Sequence, residues 1–265
     1  MIGQAKRWMT YMGSGRRRVL YIGIVLCFFL PAITDVPFDQ RETTKVVREV
    51  IKAASQSYSW LAPVFHITTL LLVALLITRG RRFGRVFYAY FAVVFALICL
   101  SNNIAVTERY GYVVILGNLV PMAIVSFLWA WEARGPKHDG AFSRLPTWRY
   151  WVIPFAILAF WFPANHEGQP DLNPLLLLTS DYGVFFCPTA PVALAILSLL
   201  YPRVNGVLLG ATSLVGTVFG IFNAMTLFMD PDYPIWMFIL HIPLILISVY
   251  GLLLPKLVRS PSSAA

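Results

Sequence analysis

Charge is what this sequence most lacks. Asp, Glu, Lys and Arg make up 12% of its 265 residues, against about 25% in a soluble domain. No polar stretch is long enough to bury a core of its own. A separable soluble domain is excluded, and residues 1–265 read as a single integral membrane domain. Cysteine is scarce too. Cys27, Cys99 and Cys187 lie far apart, with neither a CxxC pair nor an even count, which argues against a disulfide framework or a zinc site. Convincing internal repeats are missing, and with them the signature of a two-fold transporter. Low complexity is confined to the tail Ser260–Ala265. What abounds is apolar sequence: 58% of residues, with a mean hydropathy of +0.70.

The N-terminal segment 1–18 is basic and ends in Arg16-Arg17-Arg18. The apolar run Val19–Ile33 follows without a small-x-small cleavage site after Leu30-Pro31-Ala32. It reads as a retained first helix, not a signal peptide. Residues 35–58 are polar, yet Val46, Val47, Val50, Ile51 and Ala54 recur at helical spacing. An external loop carrying an amphipathic helix on the membrane surface is expected there. Apolar segments at 59–78, 87–105, 112–132, 150–164, 183–201, 206–229 and 234–254 bring the spans to eight, or seven with one weak segment merged or dropped. A span needs ~20 residues to cross ~30 Å of hydrocarbon. Leu172–Ser180 is too short for that and reads as a half-helix. The expected fold is an all-α polytopic transmembrane helix bundle.

Charge sets the orientation. With eight spans and the N-terminus inside, the inner segments hold sixteen basic residues: five in segment 1–18, then Arg79, Arg81, Arg82, Arg85, Arg134, Lys137, Arg144, Arg149, Arg203, Lys256 and Arg259. The outer ones hold Arg41, Lys45, Arg48, Lys52 and Arg109, and only Glu132 and Asp139 of the acids fall inside. That asymmetry fits the positive-inside rule with N-terminus and C-terminus cytoplasmic, in a plasma or inner membrane. It also accounts for the net charge of +9 without nucleic acid. Membrane lipids are the implied partners, with a second copy or a membrane complex as the protein partner. Trp60, Tyr112, Trp129, Trp131, Trp148, Trp151, Trp161 and Trp236 sit at segment ends and read as interfacial belts. Gly206, Gly210, Ser213, Thr217, Gly220 and Ala224 form a small-residue stripe whose first meaning is close helix packing.

One polar break, residues 181–191, interrupts apolar sequence at membrane depth. Such a break survives only against protein or a water-filled cavity. Pro188 has no N–H and Pro191 leaves the Cys187 carbonyl without its helical donor, so a helix is expected to start beside Cys187. At ~1.5 Å per residue, His66 and His241 both lie roughly 10 Å below the outer boundary. Asn103, Asn118, Asp181, Thr189 and Asn223 fall in the same outer half, which implies an outward-facing polar pocket. The bland readings stand beside this one: a hydrogen-bonded packing histidine for His66, helix glue for Asn118 and Asn223, a cap for Asp181. Cys187 and His241 suit a nucleophile and its general base. Neither histidine has a carboxylate or second histidine at ligand-like spacing, so no metal or cofactor is implied.

These features resemble those of the YwaF-like integral membrane proteins, a group related to ether-lipid acyltransferases. They are Phe65-His66 followed by Arg79–Arg85, a Cys near the start of a later helix, the run Asp230-Pro231-Asp232-Tyr233-Pro234, and Phe238-Ile239-Leu240-His241. The resemblance covers roughly residues 59–254. It implies a reactive Cys–His pair, which maps to Cys187 and His241 and suits lipid acyl transfer or hydrolysis. Depth, and not the resemblance, makes His66, Asn103, Asn118, Asp181, Thr189 and Asn223 the expected lining of the substrate pocket. Here Cys187-Pro188-Thr189 stands where a His-rich approach to the Cys is usual. The rival readings are a transporter or small-molecule-binding protein built on the broken helix, or a structural subunit of a membrane complex.

The charge asymmetry predicts that a reporter fused after Ala265 is active only on the cytoplasmic side. Activity outside would refute the eight-span arrangement.

Overall fold

The computed structural model describes residues 13–136, 145–165, 168–229 and 233–258. Residues 1–12, Lys137, Asp139, Arg144, Asp230–Asp232, Arg259 and the tail Ser260–Ala265 lie outside the described residues. The chain runs α1 (Ser14–Cys27), β1 (Ala32–Thr34), α2 (Thr43–Tyr58), α3 (Ala62–Arg79) and α4 (Arg81–Ser101). Next come β2 (Ile104–Thr107), β3 (Gly111–Ile115), α5 (Leu116–Ala133), α6 (Val152–Trp161) and the single turn α7 (Leu176–Thr179). It closes with α8 (Phe186–Leu200), α9 (Gly206–Met229) and α10 (Ile235–Leu257). Among the described residues, five helical runs are long and apolar enough to cross a membrane: the one ending in α3, then α4, α5, α9 and α10. α1, α6 and α8 are shorter, with 14, 10 and 15 residues.

The helical bundle carries one element the apolar runs conceal, a three-stranded antiparallel sheet in the order β1-β3-β2. The sequence assigns residues 104–105 and 112–115 to spans, because summed hydropathy does not separate a strand from a helix. Val113 and Ile115 are buried while Tyr112 is exposed, the alternation of a half-buried strand. The amphipathic helix predicted within 35–58 is α2. Its apolar stripe meets the sheet: Val46, Val50 and Ala54 are buried, and Val46 and Val50 cluster with Tyr110, Val113 and Ile115. Glu42 joins Lys45 of α2 at 2.8 Å and Arg109 of the β2–β3 turn at 3.3 Å. These exposed pairs orient the cap more than they stabilise it.

The sheet gathers the end of α1, the end of α4 and the start of α5 at one end of the bundle. At the opposite end Gly84 approaches Pro136, and the buried Glu132 accepts a hydrogen bond from Asn205 Nδ2 at 2.9 Å. Asn205 Oδ1 in turn accepts from the backbone N–H of Val207, which caps the start of α9.

α8 is the hub. Thirteen of its fifteen residues are buried, and α6, α9 and α10 pack against it, with α4 touching it more lightly. Behind it Trp129 packs among Phe87, Tyr88, Phe91 and Phe95, with ring centroids 5.1–5.9 Å apart, and donates to Thr212 Oγ1 at 3.2 Å. Trp129 is therefore a core residue and not part of an interfacial belt; its indole N–H finds a protein partner instead of water. The half-helix expected over Leu172–Ser180 shrinks to α7. Asp171 and Asn173 side chains accept backbone N–H groups two residues on, which favours turn over helix.

α9 and α10 meet through the small-residue stripe. A Cβ on Gly216 would lie 2.3 Å from Ser248 Oγ, and one on Gly251 would lie 2.2 Å from Ser213 Oγ. Each glycine thus receives a serine of the facing helix. A Cβ on Gly220 would meet Ile245 Cγ1 at 2.6 Å, whereas Gly206 has open space. Gly220→Leu is therefore expected to destabilise the fold by about 1–3 kcal/mol through overpacking, and Gly206→Leu to be silent. Thermal unfolding midpoints in detergent distinguish the two; equal midpoints would remove Gly220 from the α9–α10 contact.

Candidate functional site

The chain breaks between α7 and α8, and the break is closed by side chains from four directions. Gly183 sits at φ +81°, and a Cβ there would lie 2.3 Å from the Phe65 side chain. Only glycine fits both the left-handed backbone and the contact. The Gly183 N–H donates to Thr189 Oγ1 at 2.8 Å, and that hydroxyl donates to the Phe185 carbonyl at 2.6 Å. Asn102 Nδ2 donates to the Val184 carbonyl at 2.9 Å. The Asp181 carbonyl accepts from the Val184 and Phe185 N–H groups.

His66 is fully buried below this loop. Its Nδ1 faces the Ala62 carbonyl at 2.8 Å, and its Nε2 faces Ser180 Oγ at 3.1 Å and the Phe160 carbonyl at 3.2 Å. The rings of Phe160 and Tyr182 stand edge-on to the imidazole at 4.6 and 5.0 Å. One turn further along α3, Thr69 Oγ1 joins the hydroxyls of Tyr90 and Tyr182 at 2.8 and 2.9 Å. The polar groups of His66, Thr69, Asn102 and Thr189 are thus engaged by the protein itself. In hydrocarbon each unpaired main-chain group would cost several kcal/mol, so this network is what permits the break.

The remaining candidates divide. Asn103 Nδ2 donates to the Cys99 carbonyl at 2.8 Å and contacts Met122 Sδ at 3.3 Å, which ties α4 to α5. Asn118 is half-buried in the first turn of α5 and shares no hydrogen bond with the break among the described residues. Cys187 is half-buried at the second position of α8, where a helix start is expected. Asn223 Nδ2 reaches its Sγ at 3.5 Å while also donating to the Phe219 carbonyl at 2.8 Å. The Tyr233 hydroxyl lies within electrostatic range of Cys187 and is buried without a hydrogen-bond partner among the described residues.

His241 stands apart from that group. It is buried on α10, its Nδ1 bonds the Met237 carbonyl at 2.6 Å, and its ring faces Phe162 at 6.4 Å. With Nδ1 donating, Nε2 is left as an acceptor. No hydrogen bond joins Cys187 and His241 among the described residues. Nor do the described residues include a cluster of three or more His, Cys, Asp or Glu that could hold a metal.

Sequence reasoning missed the opposite end of α8. Arg149 is 3% exposed and donates from Nη2 to the Ser198 carbonyl and, at 2.9 Å, to the Tyr201 carbonyl. A cation here meets the negative end of the helix and its unpaired carbonyls. Position counted Arg149 among the inner basic residues, but nothing local marked it as buried. Glu132 carried the clearer signal, an acid inside an apolar run. No family model, curated protein or solved structure matches the chain.

Thr189→Val keeps the shape of the side chain but leaves the Gly183 N–H without its acceptor. The expected loss is about 1–3 kcal/mol, the cost of a buried unsatisfied donor, and Thr189→Ser should recover most of it. Unfolding midpoints of the three proteins check this. A valine variant as stable as the parent would show that the hydroxyl does not hold the break.

Proposed function

We propose that this chain is a multi-pass membrane protein, both termini cytoplasmic, with an outward-facing site that binds a small or lipid-derived molecule. The site lies where the start of α8, the end of α9 and the start of α10 converge. The observation that carries this reading is the cluster Cys187–Asn223–Tyr233. Cys187 is half-buried and the Tyr233 phenol has no hydrogen-bond partner among the described residues, whereas the neighbouring break is saturated internally. Support for the orientation comes from the sheet gathering connections of balanced charge at one end, where Asp35, Asp39, Glu42, Glu49 and Glu108 offset Arg41, Lys45, Arg48, Lys52 and Arg109, with Arg79–Arg85, Arg134, Arg149 and Arg203 at the other. His66 and Thr189 then serve as supports of the site and not as its lining.

A second reading keeps the chemistry that the likeness to YwaF-like proteins implies: acyl transfer with Cys187 as nucleophile and His241 as base. The His241 tautomer favours it, because Nδ1 bound to Met237 leaves Nε2 ready to accept a proton. This reading requires His241 Nε2 and the thiol to meet when substrate binds.

One labelling series tests both. A membrane-impermeant thiol reagent added from outside is expected to modify Cys187 and spare Cys99, which is buried. An unmodified Cys187 would remove the outward-facing site. If His241→Ala slows the modification, the acyl-transfer reading gains its base; if the rate is unchanged, binding alone remains.

A further inference from the structure

At the end of the bundle opposite the proposed pocket, and independent of it, a cavity of about 210 Å³ lies between the turn before α6 and the turn after α8. Arg149, Arg203, Trp148, Tyr201 and Val258 are among the residues that line it. Arg149 is almost wholly buried, yet its hydrogen bonds to the end of α8 leave Nε buried without a partner among the described residues. Beside it the Tyr250 hydroxyl feels the Arg149 charge and stands within side-chain hydrogen-bonding reach of the guanidinium. Arg17 lies within electrostatic range of the Tyr201 hydroxyl. Trp148 is half-exposed and Trp151 packs on Tyr250 at 5.0 Å, the amphipathic aromatics of a membrane interface.

We propose that this cavity binds a phosphate group, supplied by the headgroup of an anionic phospholipid. Converging arginines match phosphate oxygens in charge and in fork geometry, and basic pockets between helices on the cytoplasmic side recognise such headgroups. A buried guanidinium with an unused N–H is half of a charge-assisted hydrogen bond that an oxyanion completes. The volume falls below the ~300–1,000 Å³ of drug-sized sites. It takes a headgroup, while the acyl chains run along the apolar flank into the bilayer. A free phosphate offers the same oxyanion, and the two sources differ in whether acyl chains are required.

The test uses the full chain, purified in excess neutral detergent. Its unfolding midpoint is titrated with phosphatidylglycerol, with phosphatidylcholine and with inorganic phosphate. Phosphatidylglycerol is expected to raise the midpoint and phosphatidylcholine to leave it alone. Arg203→Gln should weaken the apparent affinity roughly tenfold, the effect of one lost contact of ordinary strength, and Arg82→Gln, outside the cavity, should not. Arg149→Lys retains a cation at the end of α8, so its lipid response is read against its own lipid-free midpoint, and it too should weaken. Protection by inorganic phosphate, lost in the same variants, would keep the phosphate site and assign it to the free anion. Equal responses to both lipids, or a phosphatidylglycerol response unchanged in both Arg203→Gln and Arg149→Lys, would overturn the proposal.

Discussion

The structure depends on one constraint: a main chain inside hydrocarbon must find its hydrogen-bond partners within the protein. α8 makes that constraint acute. Its fifteen residues span about 22 Å at 1.5 Å each, short of the ~30 Å of a bilayer core, and it is buried along almost all its length. Both of its ends therefore need partners supplied by the rest of the bundle. At one end Thr189, Asn102 and the His66–Ser180 pair take up the loose groups. At the other the Arg149 guanidinium takes the Ser198 and Tyr201 carbonyls. Residues of very different chemistry do the same job, and the short central helix exists because they do.

That requirement sorts the intramembrane polar residues into two sets. Those needed to close α8 have their donors and acceptors occupied, and their conformations are held by the neighbours they bind. Cys187, Tyr233 and the Nε2 side of His241 belong to the other set, with capacity left over. A group with unused hydrogen-bonding capacity in a low-dielectric setting is where a ligand gains most from binding. The same logic singles out Arg149, which both closes α8 and retains an unused N–H, so one residue serves the fold and faces a cavity.

The cap formed by α2 and the sheet follows a different rule. α2 has an apolar stripe that suits a lipid surface as well as it suits a sheet. Helical spacing of apolar residues segregates two faces without specifying what covers the apolar one. The sheet wins because β1 and β3 are drawn together by the ends of α1 and α5, giving Val46 and Val50 a dry face to cover. Once α2 is seated, the chain passes through the turn Ser59–Leu61 directly into α3. The cap thereby sets the depth at which His66 enters the bundle.

By itself the sequence determined whatever a single segment reports about its own surroundings. Low charge and long apolar runs place the chain in a membrane, and basic residues at alternate connections imply an orientation. The stripe at Val46, Val50 and Ala54 marks an amphipathic helix, Pro188 and Pro191 mark a helix start at Cys187, and Ser213 and Gly220 mark a close helix contact. The tertiary structure alone decided which groups meet. His66 finds its partners 94 and 114 residues away, and Asn223 rather than His241 reaches Cys187 from 36 residues on. It also made a sheet of apolar residues that hydropathy assigns to helices, and buried Arg149 where position implies a solvated charge. The reason is physical: propensity and periodicity act over a turn or two of chain. Hydrogen-bond satisfaction in a dry interior acts across space, between residues whose separation no local pattern encodes.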